Sequence, residues 1–182
     1  MSLLALIAAA AIQAQAAPPP PEPAVPIGFS PFTVEVKVAF NRGRAVRDCA
    51  VTLHGTPDPH FVDNACRNIG NAAFLAVLGA PLDKAGRATI LLAMEAGGAQ
   101  TGPAAAPEGA LTFRSEARFA LTPAGAVVRC TAGESAGHGA RLDFCQMGLP
   151  KGNAFAPAAA ERSGRLTLSA YTVTAPGRED AP

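Results

Sequence analysis

A serine flanked by glycines has the sequence setting closest to that of a catalytic nucleophile. Gly133-Glu134-Ser135-Ala136-Gly137 matches the G-x-S-x-G pattern of serine hydrolases, whose serine lies at a sharp turn between a strand and a helix. Those enzymes place an Asp and then a His after the serine. In this sequence the only His that follows Ser135 is His138, in the same loop. A base so close in sequence cannot approach the serine from a separate element. We therefore interpret the motif as a turn and keep a small serine hydrolase using Ser135 as an alternative function.

Histidines are the candidates for metal binding. His60 and His138 occupy corresponding loops, each before a predicted helix, and a metal site would need them to come together. The nearby acidic residues Asp58 and Asp63 are of a generic kind, and His54 lies apart. We expect exposed loop histidines, and hence no metal, no cofactor and no catalytic residue.

Four cysteines remain, and their spacing is unlike that of reactive or metal-binding cysteines. The sequence contains no C-x-x-C pair, which argues against thioredoxin-like redox chemistry, and no knuckle spacing typical of zinc sites. In exported proteins cysteines commonly form disulfides, and four cysteines allow three pairings.

An internal duplication selects one of these pairings. Both segments have the same order of strands, cysteines, Phe and Pro, and they close with GRATILLA from Gly86 and GRLTLSAY from Gly164. Their first cysteines lie 81 residues apart, a period too long for a solenoid. Because each copy has to carry its own pair, we predict the disulfides Cys49–Cys66 and Cys130–Cys145.

Each copy has the pattern strand, strand, helix, strand. Apolar residues alternate from Val34 to Phe40, as in a half-buried strand, and again from Ala88 to Met94. Asp58-Pro59 predicts a helix start, with Asp as the N-cap and Pro at the first helical position. We therefore predict an α+β fold of two tandem ββαβ units, each with an antiparallel sheet and one helix.

The amino terminus predicts export. The ten apolar residues from Leu3 to Ile12 are too few for a membrane span, which needs about 20. Ala14-Gln15-Ala16 fits the small-x-small cleavage pattern of a secretory signal, although Lys and Arg are missing near Met1. Cleavage would leave no membrane span, and an uncleaved anchor is the alternative.

Composition limits the kind of partner and indicates how the chain is divided. Apolar residues make up 49% of the chain, enough for a core, and the net charge of +1 gives no reason to expect nucleic acid as a partner. The predicted organisation is a signal peptide (1–16), a Pro-rich solvated leader (17–31), repeat 1 (32–96), a plain linker (97–110), repeat 2 (111–175) and a tail (176–182).

Short motifs in the repeats point to a known family. A glycine-containing hairpin precedes the first cysteine of each copy, at 43–49 and 125–130, and Leu142-Asp143 or Val62-Asp63 stands at the helix. Phe155-Ala156-Pro157-Ala158 follows in the second copy. These motifs resemble the C-terminal domain of TonB-type energy transducers, and the paired cysteines resemble a disulfide-bearing branch of that family.

The resemblance implies a periplasmic, non-enzymatic protein that binds an envelope protein or peptide segment, such as part of an outer-membrane receptor, by strand addition. A link to TonB-dependent transport is implied as well. If the third strands are sheet edges, they would accept such a segment. The residues of that predicted edge are Thr89, Leu91, Ala93, Thr167, Ser169 and Tyr171. The alternatives are that these strands pair with each other in one continuous sheet, and that the protein is a structural or interaction module without a transport role.

Export with cleavage after Ala16 is directly testable. Intact-mass measurement of protein taken from the cell envelope is expected to give a chain that begins at Ala17. A mass that retains residues 1–16 would contradict the prediction and favour the anchored form.

Overall fold

A computed structural model describes residues 26–41, 46–103, 105–137, 142–147, 149, 152 and 154–174. The predicted signal peptide and tail, most of the predicted leader and His138 lie outside the described residues.

Six antiparallel strands form one sheet in the order β2-β1-β3-β6-β4-β5. The strands are β1 Phe32–Phe40, β2 Val46–Gly55, β3 Gly86–Ala96, β4 Ala110–Leu121, β5 Val127–Gly137 and β6 Arg162–Thr174. The fold is therefore α+β, as predicted, but both halves of the chain contribute to the same sheet. Register pairs between β3 and β6 run from Gly86–Thr174 to Ala96–Gly164 and join the halves.

The apolar alternation in the strands builds one core on one face of the sheet. Alternate residues of β1, from Phe32 to Phe40, are buried on this face together with Ile90 of β3 and Leu166 of β6. Because successive side chains of a strand point to opposite faces, the intervening polar residues form the other face, here called the open face. Short helices cover the core face, namely α1 Pro59–Val62, α2 Ala65–Asn68, α3 Ala72–Val77 and α4 Phe144–Met147.

The single helix predicted for the first repeat is three short helices. It begins at Pro59, as predicted, but Asn64 has a left-handed backbone with φ of 59°, which interrupts the helix. A second interruption ends at Asn71, whose side chain caps α3 by accepting a hydrogen bond from the Phe74 N–H at 2.9 Å. The prediction of one helix in each unit is therefore wrong for the first repeat, because two asparagines favour local turn and cap geometry over a continuous helix.

Both predicted disulfides are confirmed, at equivalent places. Cys49 of β2 lies opposite Val38 of β1 and is bonded to Cys66 of α2. Cys130 of β5 lies opposite Phe119 of β4 and is bonded to Cys145 of α4. Each bond ties an outer strand to the helix above it. Disulfides indicate an oxidising environment, as expected for an exported protein.

The last residues of the predicted leader belong to the core. Ile27 is buried and forms a parallel bridge with Phe155, and the Phe29 ring contacts the rings of Phe119 and Phe155 at 6.1 and 5.9 Å between centroids. The Arg162 guanidinium lies 4.9 Å from the centre of the Phe29 ring. The interpretation as a solvated leader is therefore wrong for Ile27 and Phe29, because their apolar side chains complete the core of the second half.

Closing glycines recur in both repeats because each faces an aromatic ring. A Cβ at Gly86 would approach the Phe40 ring to 2.8 Å, and one at Gly164 would approach the Phe119 ring to 2.7 Å. Any larger residue would displace these buried rings, so glycine allows the close packing of the neighbouring strands.

Removing the disulfides one pair at a time tests their contribution to stability. Replacing Cys49 and Cys66 by Ala, or Cys130 and Cys145 by Ala, is expected to lower the free energy of unfolding by about 3 kcal/mol in each case, since loops of about 15 residues are released. The two losses should add in the fourfold variant, because the bonds lie at opposite edges of the sheet. Urea unfolding measures the effect, and an unchanged midpoint of the wild-type protein after reduction would contradict it.

Candidate binding surfaces of the sheet

The residues predicted to form a peptide-binding edge lie in the centre of the sheet. Their cross-strand pairs are Thr89–Tyr171, Leu91–Ser169 and Ala93–Thr167. Since β3 also pairs with β1, and β6 with β4, neither strand is an edge that could receive a further strand. The prediction of edges at these strands is wrong, and the alternative that the third strands pair with each other is the arrangement observed.

The outer strands of the sheet are β2 and β5. For β2, one hydrogen bond shows which residues direct their backbone N–H and C=O groups away from the sheet. Gly97 N–H donates to the Ser163 carbonyl at 2.9 Å, which continues the β3–β6 ladder. In antiparallel sheets, residues alternate between pointing their N–H and C=O groups to one neighbour and to the other. Residues of β3 that point to β6 therefore alternate with residues that point to β1, and the same alternation holds across β1. The backbone N–H and C=O groups of Cys49, Val51 and Leu53 consequently point away from β1.

The outer edge of β2 is regular and partly apolar. Its pairing with β1 continues without a shift from Gly55 to Asp48, whereas the β4–β5 pairing contains two register shifts. Such irregularities bend a strand and hinder the addition of another strand. Val51 and Leu53 are 38% and 46% exposed. Among the described residues, no backbone hydrogen bond to their outward groups is found, so β2 is the edge that is open to a partner.

A buried carboxylate recurs on the open face of each half. Glu35 and Glu116 lie 81 residues apart in the sequence, are 7% and 4% exposed, and each faces a basic residue two positions later. Lys37 Nζ lies 3.0 Å from a Glu35 oxygen, and Arg118 Nε donates to Glu116 at 2.8 Å. This pair of carboxylates was missed from the sequence, where its signal is Glu-x-Lys and Glu-x-Arg at the period of the duplication.

The two carboxylates are held by different numbers of basic side chains. Glu35 has Lys37 and His54, whose Nε2 lies 3.3 Å away. Burial alone would raise the pKa of Glu35, but hydrogen bonds and charges from Lys37 and His54 bring that pKa below its ordinary value. Glu116 lies near three arginines, with Arg165 at 3.5 Å as well as Arg114 and Arg118.

Arg165 links this cluster to a second carboxylate. Its Nε donates to Glu95 at 2.9 Å and its terminal nitrogen also contacts Glu95. Hydrogen bonding to Glu95 raises the pKa of Arg165 and keeps the guanidinium charged. The open face of the second half therefore carries charges that satisfy one another.

The predicted plain linker crosses the open face as a strap, defined here as residues 97–103 and 105–109. Because β3 and β4 run parallel with β6 between them, their connection has to cross one face of the sheet, and the helices occupy the other. The Thr33 hydroxyl donates to the Thr101 carbonyl near one end of the strap. At the other end Gly109, with φ of 104°, lies so close to Thr172 that a Cβ would meet its carbonyl oxygen at 2.4 Å.

A cavity of about 700 Å³ lies between the strap and the first half of the open face. Its lining includes Ala39 on the floor and five charged residues around it. The charged residues are Glu35, Lys37, Asp48, Arg87 and Glu108. The sequence did not predict this cavity, because residues 97–110 were interpreted as a plain linker.

Ser135 does not lie at a turn. It belongs to β5, is exposed and pairs with Ser115 of β4. The G-x-S-x-G motif is therefore a strand segment and lacks the strand-to-helix turn that the hydrolase motif requires. Neither the His60 side chain nor His138 is among the described residues, and within those residues no cluster of three metal-ligating side chains is found.

Comparison with known proteins gives no relative. No protein-family model, curated protein or solved structure matches the chain. Within the part of the chain that the structure describes, no helix is long and apolar enough to cross a membrane.

Neutralising Glu35 tests the electrostatics of this face. Because the pKa of Glu35 is lowered on folding, its charged form stabilises the protein above about pH 5, and this contribution is lost as the pH falls below about 4. Glu35→Gln is expected to cost about 1 kcal/mol at neutral pH and progressively less in acid. Glu134→Gln, at an exposed position of β5, is the control and should leave the urea midpoint unchanged. A Glu35→Gln deficit that does not shrink in acid would contradict the assignment.

Proposed function

We propose that this protein is an exported, non-enzymatic binding protein that captures an extended protein segment at the outer edge of β2. The observation that carries the proposal is the unshifted edge formed by Cys49, Val51 and Leu53, whose outward backbone groups lack partners among the described residues. An unpaired edge of this kind is a template for a further strand.

The side chains of β2 add a preference to this backbone pairing. Val51 and Leu53 are exposed apolar residues whose side chains lie on the same face of the sheet. Their backbone N–H and C=O groups are also the ones that point outward. An added strand would place alternate side chains beside them, so a segment with apolar residues at alternate positions fits best. The Cys49–Cys66 bond fixes β2 to α2 and reduces the ordering that binding would otherwise require.

The disulfides and the sequence resemblance support a periplasmic setting. We place the protein in the periplasm, with two copies of a ββαβ unit like the C-terminal domain of TonB-type transducers. Its partner would be a segment of an envelope protein, such as an outer-membrane receptor, in connection with TonB-dependent transport. The order of strand, strand, helical segment and strand within each half supports the relationship, while the shared sheet moves the binding edge from the third strand to the second.

The test selects displayed peptides long enough to span β2 on the oxidised protein and measures their affinities for variants. Leu53→Pro removes an N–H that points away from β1, so the fold should persist while peptide affinity falls about tenfold or more. Ala132→Pro is the matched control, because Ala132 occupies an outward-facing position on the opposite edge, in β5. N-methylation of the selected peptide should weaken binding at every second residue only.

Two outcomes would refute the proposal. One is equal peptide affinity of the Leu53→Pro variant and the wild-type protein, with folding verified by circular dichroism. The other is sensitivity to N-methylation without a two-residue period, which would indicate recognition by side chains alone.

A further inference from the structure

The strap cavity is a second candidate site, separate from the edge of β2. Its volume of about 700 Å³ is in the range of pockets that hold small ligands. Lys37 Nζ pairs with Glu35, but the other charged residues of the lining form no ion pair with any described residue. These unpaired residues are Asp48, Arg87 and Glu108.

The unpaired charges have a defined arrangement. Ala39 of β1 lies opposite Asp48 on one side and opposite Arg87 on the other. Two strand spacings therefore separate the acidic and the basic residue, about 10 Å between Cα atoms. The small Ala39 side chain leaves the space between them open, so a ligand with separated opposite charges could contact both.

The strap supplies groups suited to a peptide backbone. Among its described residues, none from Gly102 to Gly109 forms a backbone–backbone hydrogen bond outside the strands. Their C=O groups, and the N–H groups of all but Pro103 and Pro107, thus remain able to pair with a chain lying between the strap and the sheet.

The duplication provides an internal comparison. Ala39 corresponds to Ala120, 81 residues later, and Asp48 corresponds to Arg129. The buried acid–base pair of the open face is shared by both halves, whereas the acidic Asp48 of the first half is replaced by a basic residue in the second. In the second half Ala120 lies opposite Arg129 and Ser163, so the pair of opposite charges that flanks Ala39 is not repeated there.

We propose that the strap cavity binds a short peptide with free termini. The peptide ammonium group lies at Asp48, and its carboxylate lies at Arg87 with Lys37 nearby. Charge-assisted hydrogen bonds at the two ends set the direction of the peptide, and the strap backbone pairs with its middle.

Calorimetric titration with tetra-alanine tests this site. Acetylating its amino terminus, or amidating its carboxyl terminus, should each weaken binding about tenfold. Asp48→Asn should weaken binding of the free peptide but not further weaken that of the acetylated peptide, and Arg87→Gln should behave in the same way toward the amidated peptide. Comparing each blocked peptide with the matching variant identifies which terminus of the peptide contacts Asp48 and which contacts Arg87.

Steric variants supply the control. Ala39→Leu fills the floor of the cavity and should abolish binding, whereas Ala120→Leu, the equivalent position without a strap, should leave it unchanged. Equal affinity for free and doubly blocked peptides, no detectable binding at about 10 mM peptide, or binding of alanine as tight as that of tetra-alanine would overturn the proposal. Leu53→Pro should not alter tetra-alanine binding, which separates this site from the edge of β2.

Discussion

Backbone pairing between β3 and β6 is the interaction on which the rest of this structure depends. Aromatic residues make up 5% of the chain and Trp is absent, so each half has little material for an independent core. Pairing the two third strands merges the halves into one sheet, with Ile90 and Leu166 buried on the same face. A small domain gains stability by this merger, because the buried fraction of a chain's surface rises with size.

The central pairing also determines where covalent support is needed. Once β3 and β6 lie in the interior, β2 and β5 become the outer strands and leave apolar side chains such as Val51 and Val128 exposed. Outer strands with few buried contacts are the parts of a sheet that separate most easily. The disulfides lie on these two strands, at Cys49 and Cys130, and thus reinforce the sheet at its weakest places.

The sequence allowed prediction of features that repeat or act locally. Cysteine pairing, the strand alternation and the helix start at Pro59 were predictable, because each rests on neighbouring residues or on the duplication. The edge at Leu91 and Ser169 was predicted wrongly, since the pattern of a strand specifies which face is buried and leaves its lateral neighbours undefined. Ile27 and Phe29 were assigned to a solvated leader because nearby prolines dominated the composition. Their apolar side chains were the signal that they pack against the second half.

The asymmetry of the open face follows from the topology of a duplicated chain. Two copies contribute equivalent strands, but a single connection joins them, and β3 and β4 run parallel on either side of β6. That connection must therefore cross a face, and with the helices on the core side it crosses over charged residues such as Lys37 and Arg87. The strap is hydrogen-bonded to Thr33 of the first half and lines the cavity there. The single connection thus breaks the symmetry of the duplication, and residues such as Asp48 differ from their counterparts while both halves keep a buried carboxylate.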